Sequence, residues 1–150
     1  MSKKFYHPLM SNNITKDDIN KVIYFLKKNP ILTQSKNVEK FEKTWSKWLG
    51  VKYSVFVNSG SSANYITLAA YKNLFHNKGD IIVPTLTWPS DIMAVINNGF
   101  NPIFTDIKLE NLSMDLNYIK KIITKKTKAI FLTHAQGFNG LNKDFLNFCK

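Results

Sequence analysis

A turn rich in glycine and serine, between residues 58 and 63, has a composition suited to binding an anion. Its sequence is Asn-Ser-Gly-Ser-Ser-Ala, with an apolar run before it and helical sequence after it. Gly60 permits close approach to the backbone, and the free N–H groups of a helix start favour negative charge. The hydroxyls of Ser61 and Ser62 add donors. Because the turn lacks dinucleotide-site and P-loop spacing, it predicts a site for a small monophosphate, with a serine-rich N-cap as the alternative.

Trp88 follows the next apolar run, directly before Pro89. A tryptophan at the carboxyl end of a strand can lay its ring against a planar ligand in the same crevice as the phosphate turn. The alternative is a core tryptophan that packs under a loop. The phosphate turn and the aromatic ring, on neighbouring strands, together favour a ligand site more strongly than either does alone.

Two further polar residues follow later apolar runs. Asp106 is interpreted as the cap of a loop, and His134 is predicted either to contact substrate or to be structural. No His, Cys, Asp and Glu residues have the spacing of metal ligands, and no Ser/His/Asp arrangement indicates a hydrolase. Cys149 is the single cysteine, so a disulfide framework within the chain is excluded.

Alternating helical and apolar segments must position these residues, and they predict an α/β fold with a mainly parallel sheet and helices on both faces. Ligands of such sheets bind beyond the carboxyl ends of the strands. Trp45 and Trp48, on one face of a helix that Gly50 ends, are predicted to be core residues. The predicted strands are 53–57, 81–83, 102–105 and 129–133, and the predicted helices are 15–26, 37–49, 63–74, 89–98, 115–123 and one from 142 that continues to the end of the chain.

The net charge of +11 comes with 21 lysines and no arginine. Arginine is the residue suited to bidentate phosphate and guanine contacts, and the lysines are scattered, so nucleic-acid binding is not predicted. No apolar run is long enough to cross a bilayer, and the N-terminus lacks the apolar stretch of a secretory signal. These features predict a cytoplasmic protein without a membrane partner.

The order and spacing of several motifs resemble the DegT/DnrJ/EryC1/StrS family, whose members are sugar aminotransferases that depend on pyridoxal 5′-phosphate (PLP). The resemblance covers nearly the whole chain. The matching segments are residues 32–34, 41–42, 58–64, 79–84, 87–88, 99–106 and 127–130.

The resemblance implies roles for particular residues. Ser61 and Ser62 correspond to the Thr-Ala of the family turn that binds the PLP phosphate, although serine replaces the usual alanine at the second position. Trp88 corresponds to the aromatic residue that stacks on the pyridine ring. The Schiff-base lysine and the aspartate that pairs with the pyridine nitrogen would both lie beyond Lys150, so no catalytic residue is assigned within the chain.

The resemblance also implies domain organisation and activity. Residues 1–150 would form an N-terminal segment and an incomplete large domain of the aspartate-aminotransferase type fold, without the C-terminal domain. The implied reaction transfers an amino group from an amino acid to a nucleotide-linked keto sugar in a homodimer, and the isolated chain is expected to be inactive. Two alternatives stay open: the family's 4-keto-6-deoxy-sugar 3-dehydrase branch, to which the Ser-Gly-Ser-Ser-Ala-Asn form and Pro89 are similar, and a non-catalytic protein that binds phosphate or a partner protein.

Overall fold

The computed structural model describes residues 11–76 and 78–150. The chain divides into two compact units, Met1–Phe56 and Val57–Lys150. None of the helices in these described ranges combines the length and the apolar character needed to cross a membrane.

The first unit contains helices α1 (Lys16–Leu26) and α2 (Lys36–Leu49). The predicted capping box is confirmed: Thr15 Oγ1 accepts a hydrogen bond from the Asp18 N–H at 3.2 Å, and the Asp18 carboxylate accepts one from the Thr15 N–H at 2.9 Å. Hydrogen bonds from the side chain and backbone of Thr15 hold the pKa of Asp18 below its ordinary value. The predicted end of α2 is also confirmed, because Gly50 takes the left-handed conformation, with φ of 76°.

The prediction that Trp45 and Trp48 are core residues is wrong within this unit. The two residues are 44% and 73% exposed, and their rings pack against each other at a tilt of 35° with centroids 4.8 Å apart. The helical spacing correctly places both rings on one face of α2. However, among the described residues of this unit, only Ser46 is buried, so no apolar layer of the unit covers that face.

The predicted strand at residues 53–57 is also absent. The segment has the apolar sequence pattern of a strand, but it is not hydrogen-bonded into the sheet. The Phe56 N–H instead donates to Oε1 of Glu42 on α2, at 2.8 Å. A strand requires a neighbouring strand to satisfy its backbone groups, and here a side chain satisfies one of them.

The second unit alternates helices and strands in the predicted order. Helix α3 begins three residues earlier than predicted, and the last helix ends at Phe148 instead of continuing to the end of the chain. A single 3-10 turn at Ala135–Gly137 lies between the last strand and the last helix. The elements are α3 (Gly60–Phe75), β1 (Asp80–Pro84), α4 (Pro89–Asn97), β2 (Asn101–Thr105), α5 (Leu116–Ile122), β3 (Thr127–Ile130) and α6 (Lys143–Phe148).

The three strands form a parallel sheet in the order β2-β1-β3, which confirms the predicted fold class. The middle strand, β1, is buried on both faces. Ile81 and Val83 pack in a cluster with residues of α3 and α4, whereas Ile82 packs in a second cluster with residues of α5 and α6. Helices therefore cover both faces of the sheet, as predicted.

Strand β3 ends at Ile130, three residues before the predicted end at 133. Successive N–H groups along a strand point to opposite neighbouring strands. Just after β1, the Thr85 N–H donates to the carbonyl of Thr105, the last residue of β2. The preceding residue would therefore donate toward β3, but it is Pro84, which has no N–H. The ladder stops there, and Thr133 is left free to turn toward the loops.

Candidate cofactor-binding site

The start of α3 is built by hydrogen bonds among its own serines. Ser59 is the N-cap residue, and its Oγ accepts from the Ser62 N–H at 3.1 Å. The Ser62 hydroxyl donates to Asn58 Oδ1 at 2.7 Å, and the Ser59 hydroxyl donates to Ser62 Oγ at 3.1 Å. The serine-rich N-cap that was the alternative to a phosphate site is therefore present, and it shapes the helix start.

The same helix start has the features that a phosphate requires. The N–H groups of the first helical turn have no acceptor within the helix. The Ser59 side chain accepts from the Ser62 N–H, whereas the N–H groups of Gly60 and Ser61 point out of the helix end. Apart from its chain neighbours and the local helix backbone, no atom in residues 11–76 and 78–150 would lie within 4 Å of a Cβ at Gly60, so there is open space beside that backbone. The first turn of α3 contains no acidic residue that would repel an anion. The helix start therefore fits a phosphate group.

Trp88 lies in the loop after β1, as predicted, and is the N-cap residue of α4. Pro89 follows as the first helical residue, where a proline costs no hydrogen bond. The Trp88 side chain is 75% exposed, so it is not the core residue that the alternative interpretation described. Its ring is free to contact a ligand at this edge of the sheet.

Sequence reasoning missed Asp91, in the first turn of α4. This carboxylate is buried and accepts hydrogen bonds from Asn64 of α3, Thr87 before α4, and Thr133 after β3. It therefore links the helix that bears Gly60 to the helix that Trp88 caps. The signals in the sequence were an acidic residue three positions after the aromatic residue and an amide four positions after the glycine, but neither indicated the pairing.

His134 and Asp106 both lie in loops beyond the strands. The exposed His134 accepts a hydrogen bond at Nδ1 from the Gly140 N–H, at 3.2 Å, which leaves its Nε2 available to a ligand. A contact between His134 and substrate stays a prediction. Asp106 accepts at Oδ1 from the Ile107 N–H at 2.8 Å, and therefore caps its own loop as interpreted. No group of three or more potential metal ligands occurs in residues 11–76 and 78–150.

Comparison with known proteins extends these observations. The family model described as "DegT/DnrJ/EryC1/StrS aminotransferase family" matches residues 12–140. GDP-4-keto-6-deoxy-D-mannose 3-dehydratase of Yersinia pseudotuberculosis is 34% identical over 87% of this chain and 34% of its own length. GDP-perosamine synthase of Escherichia coli O157:H7 is 32% identical over 88% of this chain and 36% of its own length.

A solved structure confirms the fold assignment. The E. coli GDP-4-keto-6-deoxy-D-mannose 3-dehydratase with bound hydrated PLP superimposes with a TM-score of 0.85 at 28% identity, over 95% of this chain and 37% of that one. The chain thus spans about a third of the length of the relatives it matches. Since the family model matches most of the sequence and the resemblance is confirmed, the chain belongs to the DegT/DnrJ/EryC1/StrS aminotransferase family.

Proposed function

We propose that this chain forms the phosphate-binding and ring-stacking part of a PLP-dependent enzyme that acts on a nucleotide-linked keto sugar. The observation that carries the proposal is the outward-facing start of α3 at Gly60 and Ser61, with open space beside it and no acidic residue in its first turn. The exposed ring of Trp88 provides a stacking surface in the same unit. Family membership and the PLP-bound relative support this choice of cofactor.

Each residue of the site would have a distinct role. The N–H groups of Gly60 and Ser61 would donate to phosphate oxygens, with the dipole of α3 favouring the negative charge. The Ser61 hydroxyl is exposed and would add a donor. The Ser62 hydroxyl would exchange its partner, Asn58, for a phosphate oxygen.

Trp88 would hold the cofactor ring by stacking, which fixes the plane of the ring relative to the sheet edge. When bound, PLP supplies an electron sink for bond cleavage next to an amine. The residues of this chain bind and orient the cofactor, and the resemblance assigns proton transfer to a lysine outside the chain. The chain by itself is therefore proposed to bind the cofactor without turnover, and a homodimer of a complete protein would form the active site.

Two reactions are candidates for the complete enzyme. Amino transfer to a nucleotide-linked keto sugar follows from the family and from the similarity to GDP-perosamine synthase. Removal of the 3-hydroxyl of a 4-keto-6-deoxy sugar is the second candidate. It is favoured by the 34% identity to two GDP-4-keto-6-deoxy-D-mannose 3-dehydratases, over 87% and 94% of this chain.

Calorimetric titration with pyridoxamine 5′-phosphate tests the binding proposal. This probe is preferable to PLP because its amine does not react with the 21 lysines of the chain, whereas an aldehyde does. Saturable one-to-one binding that is lost with pyridoxamine, which lacks the phosphate, is the expected result. Equal affinity for the two compounds, or no binding of either, would overturn the proposal and favour a protein with another role.

Product analysis separates the two reactions. GDP-4-keto-6-deoxymannose, glutamate and PLP are incubated with the 150-residue chain and with any longer product of its gene, and the nucleotide sugars are identified by mass. The chain alone is expected to form no product. A 4-amino sugar from the longer protein would establish amino transfer, a 3-deoxy sugar would establish dehydration, and turnover by the chain alone would contradict the assignment of catalytic residues outside it.

A further inference from the structure

Asp91 is a carboxylate that is only 5% exposed and accepts hydrogen bonds from four side chains. Its Oδ1 accepts from Asn64 Nδ2 at 2.7 Å and from Ser90 Oγ at 3.4 Å. Its Oδ2 accepts from Thr133 Oγ1 at 3.1 Å and also from Thr87 Oγ1. Burying a charge is costly unless hydrogen bonds replace its water, and here both oxygens have donors. All four donors are side chains and none is a backbone N–H of α4, so helix capping does not explain this carboxylate.

The donors to Asp91 come from separate parts of the unit. Asn64 lies on α3, Thr87 lies in the loop between β1 and α4, and Thr133 follows β3. The hydroxyl oxygens of Thr87 and Thr133 are also 2.8 Å from each other, so the two loops are in direct contact. Each hydroxyl has one hydrogen, so when both donate to Asp91 neither donates to the other. Hydrogen bonds to an ionised group are shorter and stronger than those between neutral groups. Asp91 therefore fixes the start of α3, the start of α4 and the exit of β3 relative to one another.

Asp91 lies one helical turn after Trp88, and its partner Asn64 lies one helical turn after Gly60. Residues three and four apart in a helix share a face. Asn64 is four residues after Gly60, so the hydrogen bond to Asn64 sets the position and rotation of the phosphate-binding helix end. Asp91 is three residues after Trp88, and its own N–H donates to the Trp88 carbonyl at 3.0 Å. Through its carboxylate and its own N–H, Asp91 thus connects the helix that bears the anion-binding backbone to the backbone of Trp88.

We propose that Asp91 is a positioning residue that holds the Gly60–Ser61 backbone and the Trp88 ring at the spacing required by one ligand that carries both a phosphate and a planar ring. The proposal rests on the proposed function. Asp91 acts through Asn64 and Trp88 and does not contact the ligand. Without it, each half of the site still binds its own part of the ligand, but the two halves must be ordered when the ligand binds, which weakens binding.

The test compares two ligands on the wild-type chain and on the Asp91→Asn variant, which keeps the size of the side chain. Affinity for pyridoxamine 5′-phosphate is expected to fall about tenfold or more, because both halves must be engaged together. Affinity for inorganic phosphate, which uses only the start of α3, is expected to change less than about twofold by the same argument. Trp88→Ala is expected to weaken pyridoxamine 5′-phosphate binding in the wild type but much less in the Asp91→Asn background, since coupled residues are not additive.

Two further variants separate positioning from folding. Thr133→Val keeps the side-chain shape but removes one donor to Asp91, and is expected to give a smaller loss for the same ligand. Asp115→Asn is the matched control: Asp115 caps α5 and accepts from the Asn117 N–H at 2.9 Å, so its loss perturbs a helix start of the same unit without touching the network. This control is expected to leave both affinities unchanged.

The outcomes distinguish the two proposals. If the wild type binds pyridoxamine 5′-phosphate and Asp91→Asn binds it equally well, the positioning role is overturned while the proposed function stands. An equal loss of phosphate and pyridoxamine 5′-phosphate binding would also overturn it, since Asp91 would then support the helix start alone. If Asp91→Asn does not fold, the affinities of Thr133→Val for the same two ligands decide between these outcomes. If the wild type binds pyridoxamine 5′-phosphate no better than pyridoxamine, the proposed function fails, and the positioning role fails with it.

Discussion

Substitution of Gly60 by alanine is expected to affect the stability of α3 and its affinity for phosphate in opposite directions. Gly60 is the first residue of the helix, and its φ is outside the left-handed region. Beyond its chain neighbours and the local helix backbone, no atom of the described residues lies within 4 Å of the added Cβ. The methyl group therefore fits the free protein without a clash. Alanine also restricts the unfolded chain, so the free energy of unfolding should stay the same or rise by up to about 1 kcal/mol.

Phosphate binding should weaken in the same variant. A Cβ in a helix tilts toward the N-terminus, so the added methyl group lies where an anion would approach the Gly60 and Ser61 N–H groups. A hydrogen bond to a charged group contributes about 1.5–3 kcal/mol. Loss of one such bond weakens binding of pyridoxamine 5′-phosphate roughly 10- to 100-fold.

Calorimetric titration with pyridoxamine 5′-phosphate measures the affinity, and urea unfolding of the same sample measures the free energy of unfolding. Lys36→Ala, at the exposed first residue of α2, is the control, because it removes a lysine at another helix start. This control should keep full affinity if binding depends on the α3 backbone and not on general positive charge. An alanine at position 60 that leaves the affinity unchanged would refute the assignment of the phosphate site to the start of α3.

Three further substitutions test the local structure around the site and the first unit. Ser59→Ala removes the N-cap of α3 and should lower the free energy of unfolding by about 1 kcal/mol in urea unfolding. Gly140→Ala places a Cβ 2.6 Å from Ser113 Cβ; the clash should cost roughly 1–3 kcal/mol, and Ser113→Gly in the same chain should recover part of it. Thr15→Val should raise the pKa of Asp18 toward 3.8, its ordinary value, in a carboxyl NMR titration. Because the pKa of Asp18 is lower in the folded chain than in the unfolded chain, the capping box stabilises α1 above about pH 4, and this stabilisation is lost as the pH falls through the lowered pKa. An unchanged pKa in the variant would contradict the assignment of the shift to Thr15.

Local signals predicted several of the helix ends, because each of these depends on neighbouring residues. The Thr15 capping box, the left-handed Gly50 and the proline at the start of α4 all occur as predicted. The strands were less predictable because a strand also needs a partner. Residues 53–57 are as apolar as β1 but do not pair with it, and β3 is shortened by Pro84 on the neighbouring strand.

The residues of the candidate site likewise differ in whether local sequence could predict them. Gly60, Ser61, Ser62 and Trp88 belong to short motifs, so residue type and spacing were enough to single them out. Asp91 was not predictable in this way, because its partners Asn64 and Thr133 are 27 and 42 residues away in the chain. The fold alone brings these side chains together, and no local pattern marks such a contact.

The start of α3 and the Trp88 ring are proposed to form one ligand site. The most direct test is a titration of the isotopically labelled chain with pyridoxamine 5′-phosphate, monitored by nitrogen–proton correlation NMR. If they form one site, the Gly60 and Ser61 amides and the Trp88 indole N–H should show saturable shifts, all with the same dissociation constant. Shifts confined to lysine-rich segments such as Lys125-Lys126, with these three signals unmoved, would contradict it.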